Sequence, residues 1–530
     1  MMTPSRVFIR EATGLTRQLD YKDLFILAGA NCYGGLLLWM FTEIPYLYPG
    51  VDLISACTFT VILVLIGQAI PYTMMALAVP RTAADYTCMS RVLPPPLAFA
   101  ASWVWLWSQP SSMVAMILTM GSFYLSTWVG AIGLQFNNPS LVSLASALAT
   151  TQANVTAAII VIIVFGLIMM LPLKYGFSYT QSFLFISMTV AVVLFLGLLA
   201  LNSPTTFAST FNAVSSLPYD KVVTTAVSYG FSRPGFSWMT LILSLPYTTW
   251  WLGITFWLTP AVGEVKNPRK SLWIAGLLPA PFMLVWVIVA APLFYRVIPY
   301  DFMNALVWLA YMKPDAYPLP YYAVPTYLAS LLTNNIIVIN LIHWGFIASW
   351  VIYMLAWYII LVRTTFAYSF DRIFPTKLSD VNDRWASPIK ATVFWMVISI
   401  VMCVVAGYTN IFQFFFANTL LVASSVPPVV LAAALLPYRR KDIFEIAPGS
   451  VQKKIGSIPV ITVTGIIGFI FYIFVCIVAI VAYPIPTRPE NLWVVGIVWV
   501  TGFIVYYASK YYHRTKGIDI SFAFKEIPPE

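Results

Sequence analysis

The chain has 530 residues, of which 60% are hydrophobic and 9% charged, with a net charge of +10. Soluble domains carry about 25% charged residues, and here apolar runs of about 20 residues, the length that crosses a bilayer core, recur from end to end. A soluble multidomain protein is excluded, and an all-α polytopic membrane protein is predicted.

Twelve spans are expected at 23–42, 53–79, 97–128, 156–173, 178–201, 238–262, 272–295, 333–362, 389–407, 411–437, 458–483 and 491–511. With the N-terminus placed in the cytoplasm, 24 of the 29 Lys and Arg fall in inner loops and tails and 5 in outer ones. That asymmetry is the positive-inside signature of a multi-pass protein with both termini cytoplasmic. The basic excess is therefore an insertion signal, and no nucleic-acid partner is expected. The membrane itself is the expected surrounding, and the plasma membrane the expected location.

Residues 1–22 form a basic cytoplasmic tail that runs straight into span 1, with no cleavable signal peptide. Span 1 carries AGANCYGG at 28–35, whose small residues serve either close helix packing or an interruption of the helix. An outer loop with Glu43 and Asp52 follows. Span 2 exits through VPRTAADYTCMSR, where Arg81 and Asp85 are spaced to pair on one helix face and Ala83-Ala84 would admit a neighbouring backbone. Span 3 is rich in Trp, a residue usual at membrane interfaces. Residues 129–155 read as an uncharged outer loop with a short interfacial helix; Asn154-Val155-Thr156 in it is a sequon of little weight. A brief turn containing Lys174 joins spans 4 and 5, so that 23–201 makes a first group of five spans.

The outer connection 202–237 leads to a second group of five at 238–437. It opens with LSLPYTTWWLGITFWLTPAVGEVKNPRK (243–270), where Pro246 removes a backbone donor, Gly253 loosens the middle and Pro260 interrupts again. In lipid an unpartnered backbone group costs several kcal/mol, so such breaks persist only where protein or a water-filled cavity satisfies them. Span 8 carries His343 and Ser349. It exits into a segment, 363–390, that mixes five basic residues with three Asp. Span 10 holds Pro427-Pro428. Residues 438–511 contain a cytoplasmic loop and two uniform hydrophobic spans, 11 and 12, and 512–530 is a short basic cytoplasmic tail. Spans 1 and 6 hold corresponding places in the two groups and both are interrupted, the pattern of an inverted-repeat transporter with its site at the breaks. The five cysteines are scattered without metal-type spacing, so neither metal site nor disulfide framework is expected.

Four stretches resemble the amino acid–polyamine–organocation superfamily of permeases. VPRTAADYTCMSR is similar to that family's "PRaGGDYvylsR", GEVKNPRK to "EEvKNPrr", RTTFAYSFDRIFP to "sRllyamarDgllP", and ASPIKA to "tPvnA", in matching order across about residues 20–440. The resemblance implies a LeuT-like fold of two inverted five-helix repeats plus two further helices, with helices 1 and 6 broken. It implies amino acid or amine transport by alternating access. It also implies that amides of the first break receive the substrate carboxylate and carbonyls of the sixth its ammonium group. Helix N-termini attract anions, and helix C-termini and unwound carbonyls suit cations, so one zwitterion fits between two such breaks. The expected amides come from Asn31, Cys32, Tyr33, Gly34 and Gly35, and the carbonyls from the stretch Tyr247, Thr248, Thr249, Trp250 and Trp251, with Gly253 as the loosened point. Two departures break the carry-over of ion coupling: Thr255 stands where many relatives have a carboxylate, and span 5 has no Lys.

No charged residue falls in the middle of a predicted span, where one would cost about 2.5–3.5 kcal/mol or more. That favours a neutral substrate, and Tyr247, Trp250 and Trp251 favour an apolar or aromatic side chain; packing is their other reading. His343 is either a proton carrier or a hydrogen-bonded packing residue. Ser349 is a candidate sodium ligand beside the first break. No cofactor is expected beyond a coupling ion, H+ or Na+, and exchange without an ion stays open. The chain lacks a nucleophile–base set, a catalytic acid pair and metal ligands, so no enzyme activity is expected. A transporter-like sensor would bind without flux, and an amino acid/amine exchanger would need no gradient.

Overall fold

The computed structural model describes residues 15–409, 418–482 and 489–528. The tail before residue 15, the first residues of predicted span 10 (411–417) and the last of span 11 lie outside the described residues.

Among the described residues, eleven helical runs are long and apolar enough to cross a bilayer. They match spans 2 to 12, with large boundary shifts in spans 3 and 8. Span 3 runs Pro95–Gln135 and span 8 runs Ile336–Phe370. Span 1 falls outside this set because it is divided into Tyr21–Leu27 and Tyr33–Leu47, neither long enough alone. Span 8 is the central rod, buried throughout its apolar stretch, whereas span 12 is the most exposed. Large apolar side chains such as Leu167, Phe183, Ile186, Ile470 and Trp493 point outward from spans 4, 5, 11 and 12. An exposed apolar belt of this extent suits hydrocarbon and not water.

Helix ends follow from local chemistry. Asp20 and Asp23 form a reciprocal capping box at the start of span 1: the Asp20 carboxylate accepts from the Lys22 amide at 2.7 Å, and Asp23 accepts from the Asp20 amide at 3.0 Å. Asp52 caps span 2 through the Ser55 amide at 2.9 Å. Asn335 caps span 8 through the Ile337 amide at 3.0 Å.

Several expectations are corrected. Glu43 lies in the helix Tyr33–Leu47 rather than a loop, buried, with its carboxylate accepting from the Tyr311 hydroxyl at 2.9 Å. Arg81 and Asp85 do not share a helix face, because the helix Ala84–Val92 begins only after Ala83, which sits at φ 49°. The Ala83 amide does meet a neighbouring backbone, donating to the Pro260 carbonyl at 3.2 Å. Asn154 is buried, and its amide nitrogen donates to Ser122 Oγ at 2.8 Å and to the Thr150 carbonyl at 3.0 Å, which leaves no room for a glycan. A short helix lies within 129–155 as expected, at Pro139–Leu148, and the other outer stretches carry helices too, at Pro204–Val214, Tyr219–Ser228 and Tyr300–Met312.

Both ends of the described chain meet on one face. The Gln18 and Leu19 amides donate to the Glu264 carbonyl at 2.9 Å each, and the Lys266 amide returns to the Leu19 carbonyl at 3.0 Å. The C-terminal segment folds back under the helix Ala84–Val92. Arg91 donates to the carbonyls of Ala523 (3.0 Å) and Glu526 (3.2 Å), and Arg81 to that of Pro528 (2.8 Å). Arg91 also forks onto Asp371 at 2.9 and 3.0 Å, with both side chains buried. A hydrogen bond to a charged group contributes about 1.5–3 kcal/mol. Deleting residues 519–530 is therefore expected to lower the melting temperature of the purified protein; a truncated chain that melts with the full one would show that the segment contributes nothing.

Candidate substrate-binding site

The chain leaves helix geometry at Gly29, whose φ of 142° a side chain would strain. A single 3-10 turn, Ala30–Cys32, follows, and the helix restarts at Tyr33. In span 6 the helix Trp238–Leu252 stops at Gly253. Residues Thr255–Glu264 then continue as a tighter 3-10 run containing Pro260. The two interruptions touch: a Cβ built on Gly29 would lie 3.2 Å from Ile254 Cγ1, and one on Gly35 3.6 Å from the Trp251 ring.

A cavity opens where they meet. Cys32 enters it from the first interruption, and Trp250, Trp251, Ile254, Phe256 and Trp257 from the second. Span 3 adds Trp105, Gln109, Ser112 and Met116. Span 8 adds Tyr353 and Trp357, and span 10 Val422. None of these residues is charged. The indole N–H groups of Trp105, Trp251 and Trp357 have no hydrogen-bond partner among the described residues. A buried donor without a partner costs about 1–3 kcal/mol, so these groups are poised to donate to whatever occupies the cavity.

The expected residues divide by what they touch. Cys32 closes the first turn, its amide on the Gly29 carbonyl at 2.9 Å and its thiol on Asn31 Oδ1 at 3.1 Å. Asn31 is buried beside it. Tyr33 points the other way, into Phe185, Phe282 and Trp286, with its hydroxyl on Thr189 Oγ1 at 2.5 Å. Gly34 is a close-packing point: a Cβ there would sit 2.7 Å from Met188 Sδ and 2.9 Å from Ser349 Cβ. Gly35 faces Trp251 and Tyr353 at ordinary contact distance. Ser349 therefore lies against the first interruption, with its hydroxyl donating to the Phe346 carbonyl at 2.6 Å.

In span 6 the helix runs past Tyr247 and Thr248, so their carbonyls lie inside it. The Thr248 hydroxyl meets Thr60 at 2.7 Å. The Thr249 carbonyl accepts from the Gly253 amide at 2.7 Å, so the helix's open acceptors are those of Trp250, Trp251 and Leu252. The Gly253 carbonyl is already engaged. Gln68, carried on a π-helical turn of span 2 (Leu65–Ala69), donates to it at 2.7 Å and accepts from the Tyr472 hydroxyl at 2.8 Å. Span 11, expected as an appended rod, thus reaches the site; its Gly468 lies backbone to backbone against Gly67. His343 is elsewhere, bonded to Ser330 Oγ at 2.8 Å and stacked parallel to Trp128.

Sequence reasoning missed the walls contributed by spans 3, 8 and 10. A signal was present: Trp105, Gln109, Ser112 and Met116 recur at helical spacing, placing two polar groups on one face inside an apolar span. Below the cavity, Glu264 and Arg363 are bound through a two-pronged ion pair at 2.7 and 3.0 Å, both side chains buried. Nothing in either motif alone reveals that partnership.

The amino acid permease family matches residues 19–503. Among solved structures, the crystal structure of MhsT in complex with L-phenylalanine shares the fold at a TM-score of 0.55. The two are 14% identical, and the match covers 87% of this chain and 98% of that one. No curated protein sequence matches the chain.

Proposed function

The chain belongs to the amino acid permease family, and from that premise we propose that it moves neutral amino acids with apolar or aromatic side chains across the plasma membrane by alternating access. It is a multi-pass membrane transporter and not an enzyme. The observation that carries the proposal is the uncharged, Trp-lined cavity flanked by two adjoining helix interruptions. Helix-opening amides near Tyr33 attract a carboxylate, and the open carbonyls of Trp250 to Leu252 attract an ammonium group. Only a neutral, largely apolar side chain suits the remaining wall, since no charged residue lines it. The bound phenylalanine in MhsT is consistent with that substrate class.

The termini-bearing face is assigned to the cytoplasm from the distribution of Lys and Arg. On that face the Glu264–Arg363 pair and the Leu19–Val265 contact tie distant stretches of the chain together.

The test is uptake of labelled phenylalanine, leucine, alanine, lysine and glutamate into proteoliposomes. Phenylalanine and leucine are expected to enter or exchange, lysine and glutamate far less. Binding without flux would make the protein a sensor, and preference for a charged amino acid would overturn the substrate class. Trp357→Ala widens the pocket and removes one indole donor. It is expected to weaken phenylalanine more than about tenfold, a loss of about 1.4 kcal/mol or more, read from KM under the same conditions.

A further inference from the structure

A second, smaller space lies beside the cavity, toward the termini-bearing face. It is lined by Asp85 together with Tyr72, Ser102 and Ser425. Trp105 and Phe256 line both spaces and meet edge to face at 4.5 Å, so they form the partition between them. Asp85 is 6% exposed and makes no ion pair among the described residues. The polar groups near its carboxylate are the amides at the start of its own helix and Thr259, whose hydroxyl donates to the Phe256 carbonyl at 2.8 Å.

The groups around it supply no cation. Tyr72 faces it from span 2, Tyr368 from span 8 and Cys88 from its own helix. The nearby guanidiniums are all engaged: Arg91 with Asp371, Arg363 with Glu264, Arg440 with Asp442, and Arg439 with the Val92 carbonyl. Glu264, on the 3-10 run that packs against this helix, is neutralised by Arg363.

We propose that Asp85 is the proton-binding site that couples transport to a pH gradient, taking up H+ to form a carboxylic acid while the chamber is closed. The inference rests on the transporter reading above and adds the coupling ion to it. Thr259 lies on the stretch of span 6 beyond the interruption, and the Ala83 amide beside Asp85 holds the Pro260 carbonyl of that stretch. A movement of that stretch that opens the site on this face would wet the carboxyl, and water favours the ionised form, so the O–H bond breaks and the proton leaves with the substrate. Burial pushes the Asp85 carboxyl up to about 6, within reach of a physiological gradient.

The test compares the full chain with Asp85→Asn in proteoliposomes, using labelled phenylalanine with and without an imposed pH gradient. The wild type is expected to accumulate label only with the outside acidic. Asp85→Asn should lose that accumulation at least about tenfold while homo-exchange persists. Equal gradient-driven accumulation by both proteins overturns the proposal, as does accumulation by the wild type that ignores the gradient. Two readouts do not depend on flux. Infrared spectra of the purified wild type should contain a protonated-carboxyl band that titrates near pH 6 and is missing from Asp85→Asn. The melting temperature of the wild type should also fall relative to the variant as pH rises through about 6, because an acid raised in the folded state loses stability there. If the variant does not fold, a wild-type spectrum with no carboxyl titrating between about pH 5 and 7 overturns the proposal. If no amino acid moves in the wild type, the transporter reading fails, while the infrared titration still judges the proton site.

Discussion

Arg363→Ala should be the most destabilising single substitution described for this protein. Arg363 and Glu264 are each about 2% exposed and joined by two hydrogen bonds. Removing the guanidinium strands a carboxylate in a place water does not reach. Breaking such a pair costs about 3–5 kcal/mol, whereas replacing both members with apolar residues of similar size is often neutral. Arg363→Ala is therefore expected to melt far below the wild type, and Arg363→Lys to recover only part of the loss because an ammonium cannot fork. The double change Glu264→Leu with Arg363→Met should regain most of the stability but not the transport, since the pair also ties span 6 to span 8. Thermal melts of the detergent-purified variants check this. If Arg363→Ala melts with the wild type, the pair contributes nothing.

Gly35 should separate room for a methyl group from room for anything larger. A Cβ there meets Trp251 at 3.6 Å and Tyr353 at 3.8 Å, both ordinary contacts. Gly35→Ala is therefore expected to fold and to bind nearly as the wild type does. Gly35→Leu must push the Trp251 ring into the cavity and is expected to weaken amino acid binding by more than about a hundredfold, a loss of about 3 kcal/mol. Gly34 gives the opposite diagnosis. Even a methyl group there strikes Met188 and Ser349, so Gly34→Ala should lower stability before it touches affinity. Equilibrium binding and melting measured on the same three preparations distinguish these outcomes. Full affinity in Gly35→Leu would remove that residue from the site.

The sequence carried the architecture because bilayer length and charge asymmetry are strong, local signals. Spans 2 and 9 were readable to within a residue or two at Leu53–Ala78 and Ile389–Tyr408. The interruption in span 1 was readable in AGANCYGG because glycine at 29 adopts a backbone angle other residues avoid. In span 6 the carbonyls are expected over Tyr247 to Trp251, but Pro246 fits inside the helix, which encloses those of Tyr247 and Thr248 and ends at Gly253, the expected loosened point.

What stayed illegible was long-range pairing. Glu264 and Arg363 are 99 residues apart, and Gln68 and Tyr472 are 404 apart. Each looks like an ordinary polar residue until the fold brings its partner. A spacing of four suggests that Asp85 pairs with Arg81 on one helix. The left-handed residue between them, Ala83, starts a new helix and leaves the acid without its cation. Glu43 looks like a loop acid, since nothing nearby in sequence announces the tyrosines from 311 and 322 that cover it.

The adjoining interruptions are proposed to grip both ends of one zwitterion. The most direct measurement is competition against labelled phenylalanine on the purified protein by three compounds: phenylalanine, phenethylamine and 3-phenylpropionate. Each charged end should contribute at least about 1.5 kcal/mol through charge-assisted hydrogen bonds. Phenylalanine is expected to compete at least tenfold better than either the amine without a carboxylate or the acid without an ammonium. Equal competition by either truncated compound would show that one end is not held, and the two interruptions would not be the site.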